Sequence, residues 1–438
     1  MYKIIFILGY ILFINSQAIC QKKIDSLLLI TKSGKQADQI KAFITLSDAV
    51  VYDDPKMAKE YAAKALEISE KASIDSGKGD AYNRMGVAFD VSGNYDSAMF
   101  FYEKALPIYQ KIKSKKGIGS AFNNMGLIAW NLADYDKALA YFFNALKNFE
   151  EINNERFMGN VLNNIGLVYI DNENPLLAIE YHRKAMALYT KRGDNYNLGA
   201  VSTNLSNDFH AISNKDSILH YNQKAIYYNK IAGDDYGLSI AYSGYAEIFR
   251  QDKQYDSAKY YLYESLKIKE RMQENKGICL TLIALAEVSK DLNEKENQLK
   301  FLNRAKEIAE SENLKKESEN IFFQLSQYYE KENPGLALQY YQKYSTVKDS
   351  IFNETKSKQI TELNTKYQVE KKELTLKEQK LTILKKNYLL IGIITGALLL
   401  TLLGISYYRR MRLIEEKKSQ EAVVKEQQKA TIAVLQAE

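Results

Sequence analysis

Apolar residues recur at the three- and four-residue spacing of an amphipathic α-helix along most of the chain, and the pattern repeats about every 40 residues. Small residues show this repeat most clearly. They stand at fixed positions in successive copies, as in Gly86, Gly126 and Gly166, and in Ala98, Ala138 and Ala178. A repeat of this length is typical of solenoids that stack one helical hairpin per copy. We therefore predict an all-α fold.

Each copy predicts two antiparallel helices joined by a tight turn. The first helix carries a small residue, such as Gly86, at which the second helix can cross closely. The second helix carries Ala98 and Ala105, and an aromatic residue between them, Tyr102, fills the space beside the glycine. Turn sequences such as SGNYD (92–96) offer an Asp that can cap the second helix.

Eight such units fit between two hydrophobic segments of the chain, which makes residues 21–352 a predicted superhelical solenoid. Their limits are 25–75, 76–115, 116–155, 156–195, 196–235, 236–275, 276–315 and 316–352. The first and last units depart from the pattern, and we expect them to have shortened turns, because the end repeats of solenoids are usually atypical.

The N-terminal segment, MYKIIFILGYILFINSQAIC, has the features of a secretory signal peptide over residues 1–20. A positive residue, Lys3, precedes an apolar run that is too short to cross a membrane, and small residues follow it. Cleavage fits after Ala18 or after Cys20. With Cys20 removed, Cys279 is the cysteine that remains, and its apolar surroundings favour a core position over a reactive thiol.

A second hydrophobic segment, NYLLIGIITGALLLTLLGISYY (387–408), contains no charged residue. About 20 residues at ~1.5 Å per residue span the ~30 Å hydrocarbon core of a membrane, so we predict a single transmembrane helix. Arg409, Arg410 and Arg412 follow it, and this positive end is expected to stay in the cytoplasm. The solenoid would then be periplasmic, residues 409–438 would form a cytoplasmic linker helix, and the protein would lie in the inner membrane.

Residues 353–386 join the solenoid to the membrane segment and form a predicted stalk helix. Apolar residues recur there at every seventh position, as in the seam of a coiled coil, at Ile360, Tyr367, Leu374 and Leu381. Glu370 and Lys377 interrupt the second seam position, so the predicted homodimer contact is weak. The alternative is a single charged connector helix.

Composition narrows the classes of function. The chain has 60 Lys and Arg against 54 Asp and Glu, and a dispersed net charge of +6 does not indicate direct contact with nucleic acid. The three histidines, His182, His210 and His220, lack the spacing of a metal site, and His182 occupies the aromatic packing position of its unit. The sequence contains no glycine-rich phosphate loop and no nucleophile motif. We therefore expect a binding protein without metal, cofactor or catalytic residues.

Asparagines recur on the first helices just before the small residue. They are Asn83, Asn123, Asn124, Asn163, Asn164 and Asn204. Asparagine is a poor helix former, but its amide can bond both the N–H and the C=O of an extended backbone. We predict that this row lines a groove and binds a peptide or protein segment. The alternative is that these amides tie neighbouring helices together.

The repeat resembles the tetratricopeptide repeat (TPR). Gly86, Ala98, Tyr102 and Ala105 fall at its small and large positions, whereas Tyr82 stands where the family usually has Trp. The period is also longer than the usual repeat of about 34 residues. Long-repeat members of this family bind peptides or partner proteins, and asparagines at matching positions hold the peptide backbone. The resemblance implies the same role for the asparagines here.

The order of segments resembles the input half of bacterial TPR sensor histidine kinases. A signal peptide, TPR units, a stalk like ELNTKYQVEKKE (362–373), one membrane helix and a tail like ATIAVLQAE (430–438) carry this resemblance. In that family such a tail leads into the helix with the phosphorylated histidine, and a related group carries a helix-turn-helix DNA-binding domain instead. No histidine follows His220, so we expect a signalling linker without kinase activity, whose effector lies elsewhere. The alternative is a static envelope scaffold.

Overall fold

The computed structural model describes residues 24–435, with all side chains except those of 355, 357–370, 372, 373 and 433–435. The predicted signal peptide lies outside the described residues. The described chain is α-helical and contains no strands. Its helices are α1 (24–33), α2 (Gln36–Val50), α3 (Pro55–Lys71), α4 (Asp75–Val91), α5 (Tyr95–Lys111), α6 (Lys115–Asn131), α7 (Tyr135–Glu150), α8 (Glu155–Asp171), α9 (Pro175–Arg192), α10 (Asn195–Ala211), α11 (Lys215–Ala232), α12 (Asp235–Gln251), α13 (Tyr255–Met272), α14 (Asn275–Asp291), α15 (Lys295–Ser311), α16 (Lys315–Tyr329) and α17 (Pro334–Leu435). The predicted all-α fold is confirmed.

Successive helices pair as hairpins, and each hairpin packs on the next to form a superhelix. The first hairpin is α2 with α3, and the series continues to α16 with the start of α17, where Tyr340 stacks on Phe322 and Tyr329. These eight hairpins match the eight predicted units. The first unit also contains α1, whose Leu27 and Leu28 pack against the core between α2 and α3.

The predicted shortening of the first and last turns is wrong. Residues 51–54 separate α2 from α3, and residues 330–333 separate α16 from α17, whereas turns such as 92–94 in the other hairpins are one residue shorter. The two longer turns arise because α2 and α16 end early, at 15 residues each. Matching core positions are nevertheless one residue closer in the first unit, where the hydroxyl of Ser47 donates to the carbonyl oxygen of Ala58, than in the fifth, where the hydroxyl of Ser206 donates to that of Ile218.

The turns follow one backbone pattern. From residue 73 to residue 313, every twentieth residue has a left-handed conformation, which ends one helix and turns the chain into the next. Six of the eight second helices described are capped by the side chain of the residue that precedes them, and α13 and α15 are the exceptions. Asp134 accepts from the backbone N–H of Lys137, as predicted, but Asn94 caps α5 in place of Asp96. Gln254 makes no side-chain cap bond to α13.

Glycine–aromatic contacts hold the two helices of a hairpin together. The first slot row consists of the pairs Gly86–Tyr102, Gly126–Phe142 and Gly166–His182. The second slot row consists of the pairs Gly79–Tyr109, Gly119–Phe149 and Gly159–Tyr189. A Cβ atom on Gly126 would lie 2.7 Å from Cε1 of Phe142, so the close crossing requires glycine. The first slot row confirms the predicted packing, and the second slot row was missed.

Cys279 is a core residue, as predicted. Its side chain is fully buried in the cluster formed by α12 to α16, and its Sγ–H donates to the carbonyl oxygen of Ala305 at 3.5 Å. Burial raises the pKa of the Cys279 thiol to about 12. A reactive thiolate is therefore disfavoured.

The chain divides into two compact units, Met1–Tyr341 and Gln342–Glu438. The first unit contains the hairpins, and the second consists of the remainder of α17. Among the described residues, one helical segment, Leu374–Ile432, is long and apolar enough to cross a membrane. No break in α17 marks the predicted limits at 352, 386 and 408. The separate stalk, transmembrane and linker segments therefore stay predictions.

Candidate partner-binding face

The first helices of neighbouring hairpins touch one another, so they lie on the inner side of the superhelix. α4 contacts α6, α6 contacts α8, and α8 contacts α10. One stripe of each first helix is exposed or half-buried, and on α6 it comprises Lys116, Ser120, Asn123, Leu127 and Asn131. We call the combined stripes of the even-numbered helices α4 to α16 the inner face. The predicted asparagines lie at its middle.

The six predicted asparagines form a hydrogen-bonded row across four hairpins, which we call the asparagine row. Each bond between helices runs from the side-chain N–H of one first helix to the side-chain oxygen of the preceding one. These bonds join Asn124 to Asn83 at 3.0 Å, Asn164 to Asn123 at 3.1 Å and Asn204 to Asn163 at 2.9 Å. The structure thus brings all six residues together. Such ties between helices are what the alternative interpretation expects, and contact with a partner stays a prediction.

The asparagine row keeps hydrogen-bonding capacity beyond these ties. A carboxamide has two N–H donors and an oxygen with two acceptor sites, and the bonds within the row use one or two of these four per residue. Asn83 is buried, with 3% of its surface exposed, whereas the other five are partly exposed. The row can therefore hold the first helices together and still offer amide groups to a bound chain.

Apolar side chains flank the asparagine row. Val87, Leu127 and Leu167 occupy the same half-buried position in α4, α6 and α8, one turn after the asparagines. Trp130 lies near them on α6 and donates its Nε1–H to Oδ2 of Asp171 at 2.7 Å. We did not predict this apolar row from the sequence, although an apolar residue recurs at its position every 40 residues, in Val87, Leu127 and Leu167. Neutral amides beside an apolar row suit an uncharged, extended segment better than a charged ligand.

Beyond α10 the inner face is charged. Gly244 on α12 takes the position that Asn204 holds on α10, so the asparagine row ends there. Arg250 on α12 contacts Glu287 at 2.7 Å and Asp291 at 2.9 Å, both on α14. Burial raises the pKa of Glu287, and the Arg250 guanidinium beside it opposes this shift. The inner face thus consists of two parts. On α4 to α10 its middle is lined by uncharged amides and apolar side chains, and we call this middle the neutral part; on α12 and α14 it is ion-paired.

A buried His–Asp pair joins α9 to α10. His182 packs beside Gly166 in the first slot row, as predicted, and its Nδ1 lies 2.6 Å from Oδ2 of Asp208. The two side chains are 0% and 1% exposed. We did not predict the role of Asp208. Its position, 40 residues after the core residue Val168, was a signal for it, because an acidic residue at a core position needs a partner. Over the described residues, no group of three or more His, Cys, Asp or Glu side chains could hold a metal ion.

The predicted stalk seam lies on α17. Leu374 and Leu381 are exposed there, with 61% and 51% of their surfaces accessible. The side chains of Ile360 and Tyr367 lie outside those that the structure describes. The backbone is helical at all four positions, as the seven-residue spacing requires, and the dimer contact itself stays a prediction.

Two family models match the part of the chain that carries the asparagine row. One tetratricopeptide repeat family model matches residues 79–111 and 119–148, and a second matches residues 157–227. The chain contains tetratricopeptide repeats. All six asparagines lie within the matched residues. No curated protein matches the chain.

Three solved structures are similar to this chain at low sequence identity, and the first of them shares its fold. A signal transduction ATPase with numerous domains, with a tetratricopeptide repeat sensor, from Pyrococcus horikoshii has a TM-score of 0.59 at 14% identity. The match covers 77% of this chain and 54% of that protein, so it spans about half of that protein's length. A Rap protein complexed with competence and sporulation factor has a TM-score of 0.48 at 12% identity, over 77% of this chain and 99% of that one. Aspartyl phosphate phosphatase F from Bacillus subtilis has a TM-score of 0.48 at 16% identity, over 65% of this chain and 74% of that one.

Proposed function

We propose that this TPR scaffold binds an extended segment of a peptide or protein partner along the neutral part of its inner face. The observation that carries the proposal is the asparagine row, in which partly exposed amides recur on successive first helices. The apolar residues Val87, Leu127 and Leu167 run beside it. The amides can form hydrogen bonds with the backbone of a partner, whatever its side chains are. The partner's apolar side chains can pack against the apolar row.

The spacing of the helices indicates how long the bound segment would be. Helices packed 8–10 Å apart place α4 and α10 roughly 25–30 Å from each other. An extended chain covers ~3.3 Å per residue, so about eight or nine residues would span the row. Alternate side chains of an extended segment point the same way, so we expect small apolar residues at every second position.

Replacing Asn123, Asn124, Asn163 and Asn164 by Ala should weaken partner binding. Each lost neutral hydrogen bond is worth roughly 0.5–1.5 kcal/mol, so the fourfold variant should lose about 2–6 kcal/mol of binding free energy. That corresponds to a dissociation constant on the order of 30-fold higher or more. The measurement is recovery of partners, and their affinity, with wild-type and variant full-length protein.

Asn144→Ala is the matched control, because Asn144 is an exposed asparagine on the second helix α7 and donates only to the carbonyl oxygen of Ala140. Its binding should equal that of the wild type. Thermal melting of the fourfold variant separates the two roles of the row. Unchanged binding with a lowered melting temperature would show that the amides only tie the helices together, and unchanged binding with unchanged melting would remove both roles.

We propose in addition that α17 anchors this scaffold in the inner membrane, with the solenoid in the periplasm and the C-terminal end in the cytoplasm. The uncharged stretch 387–408 and the arginines that follow it support this orientation. Partner binding would then be passed to an output domain of the kinase or DNA-binding type, as the resemblance to TPR sensor histidine kinases suggests. A single membrane helix can transmit such a signal by a rigid-body shift or by changed dimer packing.

Replacing Glu370 and Lys377 by Leu should strengthen the proposed stalk dimer, because both residues interrupt its seam. Burying each new leucine should stabilise the dimer by roughly 1.5–3 kcal/mol. The measurement is disulfide cross-linking in membranes through Leu374→Cys, which lies on the seam, and through Gln379→Cys as the control on the opposite side of the helix. We expect dimers through position 374 only, with a higher yield in the leucine variant. Equal yields at both positions, or none at either, would favour a static anchor.

A further inference from the structure

The residue types that fill the slot rows change in the middle of the solenoid. In α4 to α9 the second slot row pairs a glycine with an aromatic ring, as in Gly119 with Phe149. In the α10/α11 hairpin the corresponding pair is Gly199 with Asn229, and the first slot row there pairs Ser206 with Asn222. Among the hairpins that the structure describes, this is the one in which both slots hold an asparagine instead of a ring or an aliphatic side chain.

The two asparagines are buried without full hydrogen bonding. Asn229 is 1% exposed, and within the described part of the chain neither its side-chain nitrogen nor its side-chain oxygen has a hydrogen-bond partner. Asn222 is 6% exposed, and its side-chain oxygen has no hydrogen-bond partner among the described residues, while its nitrogen reaches the hydroxyl of Ser206 only at 3.4 Å. A buried amide without partners loses its bonds to water and gains none in return, so it favours opening of the hairpin.

Polar groups also take the place of apolar packing on both sides of this hairpin. Before it, His182 and Asp208 join α9 to α10. After it, Lys269 on α13 is 7% exposed and donates to Thr281 on α14 at 2.9 Å. The inner face is weakened at the same place, because Gly244 has no amide with which to continue the asparagine row from α10 to α12.

We propose that the α10/α11 hairpin is a flexible joint of the solenoid. Around it, the hairpins of α2 to α9 and those of α12 to α15 change their relative tilt, while each of the two blocks stays rigid. The physical cause is that a core with unpaired amides gains little free energy from close packing. Alternative packing arrangements of this hairpin therefore differ little in free energy. The joint does not depend on what the inner face binds.

Amide hydrogen exchange of the full-length protein in detergent tests local stability. We expect backbone amides of α10 and α11 to exchange at least tenfold faster than those of α6 to α9 and those of α14 and α15, in the middle of each helix. The variant Ser206→Ala, Asn222→Leu, Asn229→Phe copies the pairs Ala246–Leu262 and Gly119–Phe149 of other hairpins, and it should remove this difference. Gly126→Ala with Phe142→Leu repacks a remote hairpin and should leave exchange in α10 and α11 unchanged.

Distances between spin labels on exposed second-helix positions test the tilt itself. Labels at Ala187 and Lys267 lie on either side of the joint, and labels at Lys104 and Lys184, with the same separation in sequence, lie within the first block. We expect a broad distance distribution for the first pair, a narrow one for the second, and narrowing of the first in the repaired variant. Equally narrow distributions for both pairs, or uniform exchange across the hairpins of the wild-type protein, would overturn the proposal even if the repaired variant failed to fold.

Discussion

His182→Phe should destabilise the solenoid by roughly 3–5 kcal/mol, because it leaves the carboxylate of Asp208 buried without its partner. Asp208 is 1% exposed and has its Oδ2 2.6 Å from Nδ1 of His182, so that partner is lost outright. Asp208→Val should also be destabilising, since it leaves the buried imidazole without its acceptor. The measurement is denaturant unfolding of the full-length protein, followed by the fluorescence of Trp130, the single tryptophan.

The double variant His182→Phe with Asp208→Val should recover the stability of the wild-type protein or exceed it. It copies the pair that Phe142 and Val168 form one unit earlier, where both side chains are fully buried. Replacing both partners of a buried hydrogen bond by apolar groups of the same shape is nearly neutral or stabilising. Additive losses in the double variant would show that the two side chains do not act as a pair.

Phe142→Ala should destabilise the solenoid by roughly 3–5 kcal/mol, because it empties a fully buried position against Gly126. Phe143→Ala is the matched control. That neighbouring ring is 39% exposed and meets Tyr181 edge-on at a centroid distance of 6.1 Å, so its loss should cost about 1 kcal/mol or less. The measurement is the unfolding midpoint of each variant under the same conditions. Equal shifts in the two variants would contradict the role of the slot rows.

The hairpin series and the first slot row could be predicted from the sequence because they depend on local periodicity and on alternation of small and large residues. Gly126 and Phe142 lie in one hairpin and recur in register, so their contact follows from the spacing. The turn lengths could not be predicted, because helix ends shift by one or two residues with capping, as at Asn94 and around α2.

Contacts between hairpins were harder to predict. The asparagine row joins residues 41 apart rather than 40, so that Asn124 reaches Asn83 while Asn123 receives Asn164. This one-residue offset depends on how each first helix is rotated about its axis relative to the next. The hydrophobic periodicity within one helix does not determine that rotation. The pairing of His182 with Asp208 was missed for the same reason, since it links one hairpin to the following one.

Site-specific photo-cross-linking in the membranes of cells that produce the protein tests most directly whether a partner lies along the neutral inner face. A benzophenone amino acid at Leu127 would stand beside the asparagine row, and the same group at Lys147, exposed on the second helix α7, serves as the control. We predict a defined adduct from position 127, none from position 147, and loss of the adduct when Asn123, Asn124, Asn163 and Asn164 are changed to Ala in a chain that still folds. Adducts of equal yield from both positions, or an adduct at position 127 that persists in the fourfold variant, would contradict partner binding by the asparagine row.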